Sequence, residues 1–117
     1  MITLNLPWPP SVNRIWRQGN RPGQVYLDPK YKAWRAEADA VILSKRREIG
    51  PMVKGRFTIF LTFDETRRRK NTDCDNRIKV CLDALERMRV IEDDANVDKL
   101  DASWGPSDGV RVCIFPA

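Results

Sequence analysis

Residues 56–63 carry the strictest pattern in the chain. Phe57, Ile59, Leu61 and Phe63 fall on every second position. Successive side chains of an extended strand point to opposite faces, so these four large apolar groups share one face and need a layer to cover it. Phe60 falls on the opposite face. Both faces are therefore expected to be partly covered, which places the strand inside a sheet rather than at its rim.

The other elements are read around this strand. Ile2, Leu4 and Leu6 alternate with Thr3 and Asn5, a short half-buried strand that ends at Pro7-Trp8-Pro9-Pro10 because proline cannot donate to a ladder. Residues 11–24 are polar and contain Gly19, Pro22 and Gly23, the marks of a loop or irregular hairpin. Arg14, Arg17 and Arg21 lie there, near Trp8 and Trp16. Such a segment suits nucleic acid, since bases stack on aromatic faces and arginines meet phosphate. The tryptophans are equally the large anchors of a core or an interface, and that is the expectation adopted for them. Val25-Tyr26-Leu27 reads as a brief strand. Asp28-Pro29 then opens a helix, with an acid at the cap and proline at the first helical position. Tyr31, Trp34, Ala38, Val41 and Ile42 give it an apolar stripe, Lys45, Arg46 and Arg47 fall in its last turn, and Gly50-Pro51 ends it.

A second helix is expected from Asp75 to about Arg89, with Ile78, Cys81, Leu82, Leu85 and Met88 as its apolar stripe. Residues 98–104 and 110–115, separated by Gly105-Pro106-Ser107-Asp108-Gly109, read as the arms of a hairpin. The whole is a single α/β (α+β) domain over residues 1–117, with a mixed, mostly antiparallel sheet and two main helices. One core of this size leaves no room for a separate substrate domain, so a site must be shallow or be completed by a second subunit.

Composition narrows the chemistry. The chain has no histidine, which excludes Ser-His-Asp and Cys-His catalysis and metal sites built on imidazole. A general base must be a carboxylate, a lysine or a metal-bound hydroxide. Cys74, Cys81 and Cys113 have no paired spacing, so neither a disulfide framework nor a zinc site is expected, and a cytoplasmic setting fits. The N-terminus lacks the pattern of a signal peptide, and no stretch approaches the roughly 20 apolar residues that span a bilayer, so no membrane partner is expected. The net charge of +5 favours an anionic partner.

The chemistry gathers around residues 64–94. Arg67-Arg68-Arg69-Lys70 puts four cations in a row. Asp73-Cys74-Asp75-Asn76-Arg77-Ile78-Lys79 follows, and Glu92-Asp93-Asp94 comes after the helix. Asp75, Lys79, Asp83 and Glu86 recur along one edge of that helix at three- and four-residue steps. Hydrolysis of a phosphodiester needs an activated water and relief of charge on the phosphate, both of which Mg²⁺ supplies. Mg²⁺ takes hard oxygen ligands, and Asp73, Asp75 and Asp94 offer them, with Lys79 placed to meet phosphate. The same residues also fit a plainer account: an Asp-x-Asp cap, an i,i+4 pair between Asp75 and Lys79, and a solvated acidic turn. An EF-hand is excluded, because Ile78 stands where its loop needs glycine and Ala84 where it needs glutamate.

Four segments in this order resemble the RusA-type Holliday junction resolvases, a bacterial and phage family. Leu6-Pro7-Trp8-Pro9-Pro10-Ser11-Val12-Asn13-Arg14 resembles the family's opening signature. The arginine run followed by Asp73-Cys74-Asp75-Asn76-Arg77-Ile78-Lys79 resembles its basic run and D-x-D-N-x-x-K core. Leu82-Asp83-Ala84-Leu85 resembles the helix that follows, and Asp93-Asp94-Ala95-Asn96-Val97 its second acidic motif. The resemblance implies a homodimer that cuts four-way DNA junctions with Mg²⁺, or Mn²⁺ in its place, leaving 5′-phosphate ends, with no organic cofactor. It places the family's catalytic aspartates on Asp73, Asp75 and Asp94 and its catalytic lysine on Lys79. Arg67, Arg68, Arg69, Lys70 and Arg14 become the candidate DNA contacts. The spacer Lys70-Asn71-Thr72 is longer than the family pattern. Two other readings stay open: a non-catalytic DNA-binding module, and a nuclease for flaps or other branched DNA.

Overall fold

The structure is a computed structural model that describes residues 1–10, 16–70 and 74–117. A four-stranded mixed sheet is covered on one face by helices. Its strands are β1 (Ile2–Leu6), β4 (Phe57–Asp64), β5 (Val97–Gly105) and β6 (Val110–Pro116), in the order β1-β6-β4-β5. A separate two-stranded ribbon joins β2 (Trp16–Gln18) to β3 (Val25–Leu27). The helices are α1 (Pro29–Ser44), the single turn α2 (Arg46–Ile49) and α3 (Asp75–Arg87). This is the α+β class and the mixed, mostly antiparallel sheet that the patterning implies. None of the described helices is long and apolar enough to cross a membrane.

The alternating strand is interior, as its pattern requires. β4 lies between β6, which runs antiparallel to it, and β5, which runs parallel. Phe57, Ile59, Leu61 and Phe63 are all at most 1% exposed. Burying each of these contributes about 1.5–3 kcal/mol relative to leaving it in water. They meet Leu4 and Leu6 of β1, Val110, Val112 and Ile114 of β6, and the helical residues Trp34, Ala38, Ile42, Cys81, Ala84 and Leu85 in one core. On the opposite face Phe60 packs edge-on against Phe115, ring centroids 5.6 Å apart, beneath the Lys99 ammonium.

The expected C-terminal hairpin is not formed. β5 and β6 are close in sequence but flank β4 on either side, and the turn between them passes over the end of β4. There the backbone N–H of Asp64 donates to the Gly109 carbonyl at 3.0 Å. Gly109 has φ of 71°, and a Cβ on it would overlap the Leu6 carbonyl oxygen, so only glycine fits this crossing. Turn chemistry marks a reversal of the chain. It does not say which strand the chain pairs with afterwards.

α1 starts where its signals place it. Both the Lys30 and Tyr31 backbone N–H groups donate to Asp28 Oδ1, at 3.0 and 3.2 Å. The helix ends at Ser44, earlier than the basic run implied. Lys45 breaks the geometry, Arg46 and Arg47 belong to α2, and Gly50 closes that turn at φ of 77°. The Trp34 indole N–H donates to the Pro7 carbonyl at 2.8 Å, tying α1 to the end of β1. Trp8 is partly buried against the core, whereas Trp16 is 60% exposed and belongs to no core.

The buried stripe of α3 also differs from the sequence reading. Arg77, Val80, Cys81, Ala84 and Leu85 are buried, and Ile78, Leu82 and Met88 pack at its margin. Burial pushes the Cys81 thiol up to about 12, which makes it an inert core group. α3 stops two residues short of Arg89, which takes a left-handed φ of 60°. Arg89 N–H then donates to the Glu86 carbonyl at 3.0 Å and Val90 N–H to the Leu85 carbonyl at 2.8 Å, the double bond pattern that closes a helix through a left-handed residue.

Candidate functional site: an acidic cluster beside an arginine–tryptophan shelf

The helix end described above positions the second acidic motif. After Arg89 the chain pairs briefly with residue 53: Val53 N–H donates to the Val90 carbonyl at 3.0 Å, and Glu92 N–H to the Val53 carbonyl at 2.9 Å. This pairing sends residues 92–94 back along α3. Asp93 accepts from the Ala95 N–H at 2.8 Å and so caps a short 3₁₀ turn, Asp94–Asn96. The Asp94 N–H donates to Glu86 Oε1 at 2.9 Å.

Glu86, Asp93 and Asp94 bring a carboxylate oxygen each within 4.8 Å of one another. Each carboxylate has two oxygens, so one engaged with a backbone N–H leaves the other for a cation. Three hard oxygen donors suit Mg²⁺ or Mn²⁺, so the donor set fits the ion implied by the sequence. Asp83 adjoins this group. Its partial burial pushes its carboxyl above the usual range, Asp94 and Glu86 push in the same direction, and Lys79 and Arg87 oppose them.

Lys79 forms an ion pair with Asp83 at 3.8 Å, with 71% of the lysine side chain exposed. Its ammonium therefore remains open to solvent on the same side of α3 as the acids. Asp75 is the exposed first residue of α3. Glu86 lies eleven positions further along the helix, about 16 Å along the axis at 1.5 Å per residue. The structure gathers Asp94 with Glu86 and Asp93 at the C-terminal end of the helix and sets Asp75 at the other end. Asp73 and Arg14 lie outside the described residues.

The cations form a second feature. Arg67, Arg68, Arg69 and Lys70 are all exposed. They follow the end of β4, where Asp64 accepts from the Thr66 N–H and hydroxyl and holds the turn; these bonds keep its carboxyl below its usual range. The Arg67 guanidinium lies 5.8 Å over the Trp8 ring, and that of Arg68 lies 5.6 Å over Trp104. Trp8, Phe63 and Trp104 pack together with centroids 6.0–6.1 Å apart. Stacking on aromatic faces restrains the guanidiniums, and Arg67 is further tied to Asp64 at 4.0 Å. Arg77, 7% exposed, stacks on Trp8 at 5.1 Å and donates from Nε to the Pro9 carbonyl at 3.2 Å. It pins the start of α3, and so Asp75, to the Pro7–Pro10 segment.

The profile of the Endodeoxyribonuclease RusA family matches residues 7–115. The chain belongs to the RusA endodeoxyribonuclease family. It is 34% identical over 95 residues to the crossover junction endodeoxyribonuclease RusA of Shigella sonnei, covering 81% of this chain and 75% of that protein. The figures are the same for the protein of that name from Escherichia coli K12. The counterpart from Enterobacteria phage 82 is 34% identical over 94 residues, 80% of this chain and 74% of its own length. RusA membership makes the chain a nuclease.

Within this RusA domain, sequence reasoning overlooked five residues that the structure brings to the site, among them Asp93, which was passed over for its neighbour Asp94. Glu86 was seen as part of a helix edge and not as a neighbour of Asp94, because the return of residues 92–94 depends on the left-handed Arg89 and on Val53, 38 residues before Ile91. Asp83 was missed for the same reason. Trp104 and Arg77 look like ordinary strand and helix-surface residues until the sheet order places them beside Trp8. One signal for Arg77 was present: it precedes Val80 and Cys81 by three and four residues, on the buried stripe.

Proposed function

We propose that this chain resolves four-way DNA junctions by paired, symmetric nicks, as a homodimer that depends on a divalent metal. The observation that carries this reading is the grouping of Glu86, Asp93 and Asp94 on the face of α3 that begins with Asp75, inside a RusA domain. Asp73, Asp75 and Asp94 would hold Mg²⁺, with Mn²⁺ able to substitute. The ion would supply an acidified water and charge relief on the phosphate.

The chain's own residues do the rest. The Asp94 carboxylate is steadied by the Glu86 contact on its backbone. Lys79, held at the edge of this face by Asp83, is exposed and free to turn toward a phosphate oxygen. Arg67, Arg68, Arg69 and Lys70 hold the DNA backbone, with Arg14 a further contact. A four-way junction has approximate two-fold symmetry, and a two-fold dimer offers one acidic site to each of two opposed strands. Asp75 opens the helix face along which Asp83 and Glu86 follow, and the backbone of Asp94 is held by Glu86.

Cleavage of a synthetic four-way junction, a flap and a linear duplex, each with and without Mg²⁺, tests the reading. Symmetric nicks in the junction alone, only with metal, are expected. No nicking in Mg²⁺ or Mn²⁺ would make the chain a binding module. Faster cutting of the flap would reassign its substrate to other branched DNA.

A further inference from the structure

The β2–β3 ribbon has no part in the site just described. It is a sheet of its own, and it bares Trp16 (60% exposed), Val25 (60%) and Tyr26 (45%). The register pairs Trp16 with Leu27, Arg17 with Tyr26 and Gln18 with Val25. Cross-strand pairs share a face and successive pairs alternate. Trp16 and Val25 therefore lie on one face, and Arg17 and Tyr26 on the other.

The ribbon is fixed at its foot. Arg17 holds Asp28 at 2.6 Å, and the same carboxylate caps α1. This bond spans the junction between an exposed ribbon and a buried cap, so the direction of the ribbon is set by the body of the domain. At its tip, Gly19 N–H donates to the Gln24 carbonyl at 2.8 Å and Gln24 N–H to the Arg21 carbonyl at 3.1 Å, which keeps the turn closed.

Two features identify what covers it. From Trp16 to Leu27 the chain holds Arg17, which is paired with Asp28, and Arg21, and no acid, so the charge the ribbon itself offers is positive. Its exposed apolar groups are dominated by two aromatic rings. A stable subunit contact buries about 800 Å² on each side, far more than two three-residue strands present. A polyanion with flat apolar faces matches both charge and rings. Linear duplex hides the faces of its bases by stacking; a branch point exposes those of the pairs that end each arm once its arms unstack, and an exposed base face stacks on an aromatic side chain.

We propose that the β2–β3 ribbon is a second DNA contact, in which Trp16 stacks on a base exposed at the branch point and so favours branched over linear DNA. The inference rests on the junction reading above.

The test uses full-length protein and a four-way junction carrying 2-aminopurine beside the branch point, with a linear duplex of the same arms as reference. Trp16 is exposed, so its replacement leaves the core intact. Trp16→Ala is expected to lower junction affinity about 10- to 100-fold, the usual loss for one stacked base, and to leave duplex affinity unchanged. Trp16→Phe keeps a ring and should retain most of the affinity. Quenching of 2-aminopurine should appear with the native chain and Trp16→Phe and vanish with Trp16→Ala. Equal losses on junction and duplex, or no loss on either, would overturn the proposal. So would dissociation of the oligomer by Trp16→Ala in light scattering, which would make the ribbon a subunit contact. A native chain that does not prefer the junction removes the reading beneath it, a result distinct from any effect of the variants.

Discussion

The backbone N–H of Asp94 donates to Oε1 of Glu86 at 2.9 Å, across the end of α3. The acid that the family pattern marks is thus held by an acid it does not mark. Partners that orient a ligating carboxylate typically change metal affinity about 10- to 100-fold when removed. Glu86→Ala is expected to weaken Mn²⁺ binding by that factor in calorimetric titration. Glu86→Gln keeps an oxygen acceptor for Asp94 and should lose less. Native affinity in both variants would show that this cluster holds no ion.

Asp75 lies at the other end of the same face. Asp75→Asn should abolish junction cleavage while binding persists, and removing a negative charge from the path of phosphate should tighten binding somewhat. Gel-shift and nicking assays on the same preparation separate the two effects. Cleavage at the native rate in Mg²⁺ would remove Asp75 from the site.

The fold was legible where local pattern and tertiary need coincide. Phe57, Ile59, Leu61 and Phe63 announce a buried face, Phe60 announces an interior strand, and Asp28-Pro29 announces the start of α1. Legibility failed where a distant partner decides. Residues 97–105 and 110–116 carry the marks of a hairpin, yet β4 already offered an edge to each. The acidic motifs were visible as residue types. Their grouping depends on an arginine in a conformation usually left to glycine, which no periodicity reports. Trp16 showed the converse: its size suggested burial, and only the isolation of its ribbon shows that it faces solvent.

The arginine shelf makes a prediction about salt. Each phosphate contact contributes about 0.9 to the slope of log affinity against log salt on duplex DNA. Arg68→Ala should lower the slope by about that amount, and neutralising Arg67, Arg68, Arg69 and Lys70 together by up to about 3.6, four times the single value. Binding measured across a salt series reads this directly. An unchanged slope would exclude the run as the phosphate clamp.

Arg89 offers a stability test. A non-glycine residue in the left-handed region costs roughly 1–2 kcal/mol, while glycine costs about 0.5–1 kcal/mol in chain entropy. Arg89→Gly should therefore raise unfolding free energy by up to about 1.5 kcal/mol in urea titration. A loss of stability would mean that the Arg89 side chain itself holds the return of residues 92–94.

Asp28 is 3% exposed, accepts from the Arg17 guanidinium and from two backbone N–H groups, and has its carboxyl held below the usual range by Arg17 first, against the opposing effect of burial. A carboxyl whose pKa is lower in the folded state stabilises that state at every pH above its unfolded value, about 3.9, and ceases to do so as pH falls through the lowered value. Asp28→Asn keeps an oxygen for the helix cap and loses the charge facing Arg17. The variant should be less stable than the native chain at pH 7. The gap should narrow as pH drops below about 4 and close in stronger acid, where both residues are neutral. Urea titrations at neutral and acid pH measure this gap. One that stays constant over that range would assign the loss to the shape of the amide, leaving the Arg17 ion pair without a role in holding the ribbon to α1.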